Sequence, residues 1–300
     1  MTTVKPVTLE TASLNGDQIP KSPSTWRYFR RHRLAVISLI VLVLFALIAI
    51  FAQQIMPYDP NSTNTAYAGG RPQPPSVEYA LGTDNYGRDY LSRTIASLQI
   101  SMLVGVTAVL FQLLIGVTVG ALAGYFGGWV DNLLMRITDI FLAIPAFMLL
   151  LIVAGILGGT LLALIFAIGA LNWMTVSRLV RAQILSLKEQ EFVLAAHSMG
   201  ASHFRLIRLY LLPNTLSSII VAATLAIPGA ILTESALSFL GLGVQPPNAS
   251  LGNMLQDAQQ WVRTSWWVWI VPGVTISLIV LSFNFVGDGL RDALDPRLRR

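Results

Sequence analysis

Long apolar runs dominate this chain, and its polar residues are gathered between them. Six runs, residues 34–52, 100–125, 137–157, 161–179, 215–237 and 266–286, have the length of membrane-crossing helices, which need about 20 residues. Gly116, Gly120, Gly124, Pro145, Pro228 and Pro272 interrupt several of them. Membrane helices tolerate such residues because neighbouring helices re-satisfy the freed backbone groups. Gly116, Gly120 and Gly124 also fall four residues apart on one helix face. A stripe of that kind lets a second helix backbone approach closely, although glycines scattered in a membrane helix can fall into the same spacing. The pattern predicts an all-α membrane protein with six transmembrane helices. Its expected parts are a tail over 1–33, an anchor helix over 34–53 and a polar loop over 54–99. A helical core over 100–287, containing a long polar loop at 186–213, and a second tail over 288–300 complete the chain.

Composition excludes the alternatives to a membrane protein. Hydrophobic residues make up 54% of the 300 and charged residues only 12%, about half the usual share of a soluble domain. Disorder is excluded too, because it requires low hydrophobicity. The first span is longer than the apolar core of a signal peptide and follows a long tail, so it is expected to stay as an anchor. With the N-terminus placed inside, 16 of the 20 lysines and arginines fall on inner segments, against Arg71, Arg88, Arg93 and Arg263 outside. Both termini are therefore expected in the cytoplasm. The net charge of +5 is then a topology signal, and no nucleic-acid partner is expected. The basic cluster Arg27 to Arg33 is expected against anionic headgroups of the lipid bilayer.

Most catalytic chemistry is missing. The chain has no cysteine, and its lysines, Lys5, Lys21 and Lys188, follow Val4, Pro20 and Leu187, so no phosphate-binding Gly-Lys-Ser/Thr exists. His32, His197 and His203 lack zinc-ligand spacing, and no metal site is expected. Gly200-Ala201-Ser202-His203 has the outline of an intramembrane serine protease motif but lies in a basic polar loop. No polar segment is long enough for a catalytic domain. No catalytic residue is expected, and any energy conversion belongs to another chain.

The loop at 186–213 is the most informative stretch. Ser186-Leu187-Lys188-Glu189 has the form of a capping box, and Glu189 and Glu191 suit the positive end of a helix dipole. Phe192, Ala195, Ala196 and Met199 follow at helical spacing as one apolar face, closed by Gly200. A second amphipathic piece with Phe204, Ile207, Arg208 and Leu211 is expected to stop at Pro213. A face with two alanines at its centre, flanked by Phe192 and Met199, suits docking into a protein groove better than lying on lipid.

Leu194-Ala195-Ala196-x-x-x-Gly200, then nine residues, then Tyr210-Leu211-Leu212-Pro213 resembles the EAA loop of bacterial ABC-importer permeases. Leu194 stands where that pattern has glutamate, and Tyr210 where it has isoleucine. Four further segments are similar to the dipeptide, oligopeptide and nickel importer permeases. They are Leu81-Gly82-Thr83-Asp84 with Gly87-Arg88-Asp89 and Ser92-Arg93, Gly124 to Asp131 with Met135 to Asp139, Ser238 to Gly243 with Pro246-Pro247, and Gly287 to Pro296. Ser97 and Gln99 depart from it, and the moderate loop after the first span resembles the C-type subunit of the permease pair. The resemblance implies the type I importer fold in the bacterial cytoplasmic (inner) membrane. It implies a paralogous permease partner, two ABC ATPase subunits that carry ATP and Mg, and an extracytoplasmic solute-binding protein. It assigns ATPase coupling to Glu191, Phe192, Ala195, Ala196, Met199, Gly200 and Pro213. No cofactor is implied on this chain.

Polar groups inside spans are functional suspects by default, so Asn172, Glu234 and Asn284 are the pathway candidates. For Glu234, a structural bond to a neighbouring helix or to the Arg88/Arg93 loop is an equal alternative. Asp84, Arg88, Asp89 and Arg93 either meet the binding protein or form an internal salt-bridged cap. Arg136 and Asp139, with Arg178 and Arg181, are expected to anchor helices or face the ATPase. The loop 241–267, with Trp261, Trp266 and Trp267, is expected at the outer interface. Peptides are the expected cargo; nickel, glutathione or oligosaccharide are the alternatives within the family, and a self-sufficient transporter or channel lies outside it.

Overall fold

The computed structural model describes residues 25–67 and 70–294; of the expected tails, 1–24 and 295–300 lie outside these, with Lys5, Lys21 and Pro296. A short helix α1 (Thr25–Phe29) leads into α2 (Arg33–Ile50) and one further turn, α3 (Ala52–Ile55). The long α4 (Tyr90–Phe126) is followed by α5 (Gly128–Ala143) and α6 (Ala146–Leu157), then by α7 (Leu161–Ala170) and α8 (Trp173–Leu187). The polar stretch contains α9 (Glu191–Ser198) and α10 (His203–Arg205). The last elements are α11 (Leu212–Phe239), α12 (Leu251–Ala258) and α13 (Trp267–Leu294). Four helices are long and apolar enough to cross a membrane. The two bent pairs α5–α6 and α7–α8 bring the number to six if each crosses once.

The expected span boundaries shift where protein, not lipid, covers polar residues. The second span starts at Tyr90, ten positions before its apolar run, so the expected outer loop ends at Asp89 instead of residue 99. Asp89 caps α4, its carboxylate accepting from the backbone N–H and hydroxyl of Ser92. Ser92, Arg93 and Ser97 in these first turns are all buried. The third span starts at Gly128 and bends by 84° at Ile144–Pro145. Ile144 is extended, as the residue before a proline prefers. The fourth bends by 41° at Leu171–Asn172, where Asn172 Nδ2 donates to the carbonyl of Ile168. The last helix runs on to Leu294, seven residues into the expected tail.

α4 stands at the centre and packs on α8, α11, α7 and α2, while α13 packs on α11 and α2. The glycine stripe is the seam of the α4–α8 contact. A β-carbon on Gly116, Gly120 or Gly124 would come within 2.9 Å of Val176 or of the carbonyls of Trp173, Ser177 or Arg181. These glycines permit an approach that any side chain would prevent.

The loop region at 241–267 holds more than interface tryptophans. Ser250 and Asn253 form a capping box for α12, and Leu251 to Met254 are buried. α12 lies against α11, α13 and α4 at the end of the bundle opposite α1 and α9. Trp266 is exposed, whereas Trp267 is buried.

Candidate functional site

α4, α8 and α11 diverge around an open cavity of about 440 Å³. Gln112 contributes from α4, and Asn172, Thr175, Val176 and Leu179 from the break and first turns of α8. Ala222, Leu225, Ala226, Gly229, Ala230 and Thr233 line it from α11. A second cavity, of about 580 Å³, shares Leu179, Ala222 and Leu225 with the first and continues to Gln183, Asn214, Ser217, Ser218 and Arg291. Together they form one cleft running from mid-bundle to the end that carries α1, α9 and the close of α13. Irregular backbone such as the Leu171–Asn172 break is tolerated at membrane depth where it lines such a cavity.

Of the pathway candidates, Asn172 lines this cleft and the other two do not. Glu234 is fully buried and does not line the cleft, since it points about 100° around α11 from Thr233, which does. Its carboxylate accepts hydrogen bonds from Ser101 (3.0 Å), Ser235 (3.4 Å) and Ser238 (2.7 Å). Ser238 Oγ in turn accepts from the backbone of Val244. Glu234 thus ties α4 to α11 and the loop that follows, which corrects the pathway reading; its partners are serines, not Arg88 or Arg93. Asn284 sits part-exposed on α13 and lines neither cavity. Gln112, Thr175 and Thr233 were missed. Gln112 was legible as a lone amide within an apolar run, by the same criterion that selected Asn172.

The outer candidates fold inward. Asp84, Asp89 and Arg93 are 5%, 3% and 3% exposed. Asp84 pairs with Arg88 at 2.6 Å and Arg93 at 3.4 Å, and Arg93 donates to the carbonyl of Pro60. The segment is an internal salt-bridged cap over the start of α4, the second of the two expected readings; Asp84, Asp89 and Arg93 are buried in it and Arg88 is partly exposed. Tyr86, lying under the Arg88 guanidinium at 4.6 Å, is the exposed part.

The expected capping box at Ser186 does not form. α8 continues through Ser186 to Leu187, and Gln190 is the residue before α9. The expected single apolar face divides in two. Val193 and Ala196 turn inward against Ile184, Leu206 and Leu211, while Phe192, Leu194, Ala195 and Met199 face out with Glu191. Ala196 is therefore a packing residue, corrected from a docking one, because α9 must bury a face against its own chain. Gly200 closes α9 as expected, at φ +84°, its N–H donating to His197 and that of Ala201 to Ala196. Pro213 does not stop the next helix. A π-helical turn, Leu206–Leu211, carries the chain into α11 with Leu212 N–H donating to Ile207. Its wider winding spares Pro213 the clash that a proline makes in a regular helix.

α8, which runs from the cleft towards α9, is tied to α5 by two ion pairs. Arg181 meets Asp131 with two hydrogen bonds of 2.5 and 2.6 Å, and Arg178 meets Asp139 at 2.6 Å. These arginines serve as helix anchors. Arg136 makes no ion pair among the described residues.

A helical bundle with broken spans, a cleft carrying a few polar groups and open at one end, and an exposed short helix beside that end defines a multi-pass membrane permease. Residues 116–300 match the family described as binding-protein-dependent transport system inner membrane component. Residues 24–75 match the N-terminal TM domain of oligopeptide transport permease C. The chain therefore belongs to the binding-protein-dependent inner-membrane transport components. It is 43% identical over 284 residues to the dipeptide transport system permease protein DppC of Alkalihalophilus pseudofirmus, covering 92% of this chain and 91% of that one. To the oligopeptide transport system permease protein OppC of Bacillus subtilis it is 42% identical, covering 93% and 92%. The inward-facing MetNI methionine ABC transporter shares the fold, with a TM-score of 0.54 and 20% identity over 68% of this chain and 97% of that chain.

Proposed function

We propose that this chain is one of two permease subunits of an ATP-driven peptide importer and forms half of its translocation pathway. The observation that carries the reading is the continuous cleft between α4, α8 and α11, largely apolar with polar groups at Gln112, Asn172, Thr175 and Thr233, in a chain about 40% identical to dipeptide and oligopeptide permeases over nine-tenths of its length. A paralogous permease supplies the facing wall. Peptide arrives on an extracytoplasmic solute-binding protein, and two ABC ATPases hold the ATP and Mg. This subunit performs no catalysis.

The end bearing α1, α9 and the close of α13 faces the cytoplasm, as the distribution of arginine and lysine requires. There α9 presents Phe192, Leu194, Ala195 and Met199, with Met199 80% exposed, to a groove on an ATPase. Its inner residues Val193 and Ala196 are packed against α8 and the π-helical turn. Closure of the ATPase pair therefore moves α9, α8 and the start of α11 as one body. α8 carries Thr175 on the cleft wall, so this displacement reaches the pathway, a two-state change of an interface. The loaded binding protein favours the outward-open state, and linkage makes the coupling reciprocal.

Met199→Asp and Phe192→Asp test the reading, since each charges the outer face of α9 and leaves the inner face intact. The expected result is normal membrane insertion with loss of ATPase co-purification and of peptide-stimulated ATP hydrolysis. Wild-type behaviour of both variants in these assays refutes the assignment of α9.

A further inference from the structure

Gln112 lies halfway along α4 and is 7% exposed, yet its amide has no hydrogen-bond partner among the described residues. What it meets is the cleft, which it lines with Asn172, Thr175 and Thr233. The side chain is otherwise enclosed, so the open face of its amide is turned to the cleft, where its donors and acceptor are free for whatever passes through.

The other polar groups complete a set. Asn172 commits Nδ2 to the carbonyl of Ile168 at 2.7 Å, leaving its Oδ1 as an acceptor. Thr233 donates its hydroxyl hydrogen to the carbonyl of Gly229 at 2.7 Å and keeps its oxygen lone pairs. Thr175 is exposed to the cleft, and its hydroxyl makes no hydrogen bond among the described residues. The belt thus offers both donors and acceptors and no ionic group: among the described residues no Asp, Glu, Lys, Arg or His lines this cavity. Arg291 enters only the second cavity, towards the end that carries α9; the charges nearer the belt are turned away. Glu234 is buried among serines between α11 and α4, and Arg178 and Arg181 are paired with Asp139 and Asp131. Apart from Leu225, the remaining α11 wall is of small residues, Ala222, Ala226, Gly229 and Ala230, which leave side-chain room.

We propose that Gln112, Asn172, Thr175 and Thr233 form a neutral hydrogen-bonding belt that receives the backbone amides of a peptide in transit. The belt is indifferent to the charge of the peptide's side chains. The inference rests on the peptide-transport reading and deepens it. A peptide unit presents one N–H and one C=O, and a primary amide such as that of Gln112 can answer both. An uncharged wall neither traps nor repels lysine- or glutamate-bearing cargo inside the membrane, where an unpaired fixed charge acts strongly.

The test uses the complete transporter with its binding protein in proteoliposomes, with Ala-Ala, Ala-Lys and Ala-Glu as probes. Wild type is expected to carry all three at comparable maximal rates. Gln112→Leu is expected to slow all three alike, whereas Gln112→Glu is expected to raise the Ala-Lys to Ala-Glu ratio about tenfold. Thr175→Lys, at a position exposed to the cleft, is expected to move that ratio the opposite way and serves if Gln112 variants fail to assemble. Uptake of none of the three by wild type overturns the peptide reading itself, and the belt with it. Uptake by wild type with a charge ratio unmoved in Gln112→Glu and Thr175→Lys overturns the belt alone.

Discussion

Replacing Gly120 by alanine adds one carbon where the α4–α8 seam has no room for it. That carbon would lie 2.4 Å from the carbonyl oxygen of Ser177, 2.9 Å from Cβ of Val180 and 3.1 Å from the backbone nitrogen of Arg181. Ordinary contacts between heavy atoms sit near 3.5 Å, so the shortfall against the carbonyl is about 1 Å. None of the three atoms can swing aside, since two are backbone and the third is the branch point of a stiff side chain. The helices must separate, which also loosens the neighbouring contacts of Gly116 and Gly124. Overpacking of this kind costs about 1–3 kcal/mol, partly offset by the ~1 kcal/mol that alanine gains over glycine in a helix. Gly155→Ala supplies the control, because a β-carbon there meets nothing within 4 Å and the propensity gain is common to both variants. Thermal unfolding of the purified complex in detergent should place Gly120→Ala below wild type and Gly155→Ala at or above it. Equal midpoints for the two alanine variants would refute the close-approach argument.

Two further perturbations address the polar ties inside the bundle. Glu234→Ala should destabilise by about 2–5 kcal/mol, from a cavity plus the unbonded hydroxyls of Ser101 and Ser238. Glu234→Gln keeps shape and acceptor and should cost at most about 1 kcal/mol while leaving substrate preference unchanged; the same unfolding assay with uptake measurements checks this, and equal losses in the two variants would sink the staple reading. For the two-bond pair between Arg181 and Asp131, a double-mutant cycle to alanine should give a coupling of about 0.5–1 kcal/mol, because Arg181 is a third exposed. Arg181→Lys should lose part of it for want of the guanidinium fork, and a coupling of zero would remove the pair from the account of how α8 is held.

The sequence by itself determined that the chain crosses a membrane, where its spans lie to within about ten residues, and that the glycine face admits a close neighbour. These follow from transfer to lipid and from the 3.6-residue period, both properties of single residues and their spacing. The family motifs and the close of α9 at Gly200 were legible for the same reason, the signals being local in the chain, whereas the start expected at Ser186 was not where α9 begins. Tertiary structure decided the rest. Hydropathy compares a residue with lipid, so it missed the polar first turns of α4, where Ser92, Arg93 and Ser97 are covered by protein. Periodicity showed that Phe192, Ala195, Ala196 and Met199 could share a face, but not that packing would draw Ala196 inward with Val193 and leave the others outside. The same rotation about a helix axis separates Thr233, on the cleft, from Glu234, among serines. A side chain's role in a membrane bundle depends on which neighbour its face meets, and only the assembled helices settle that.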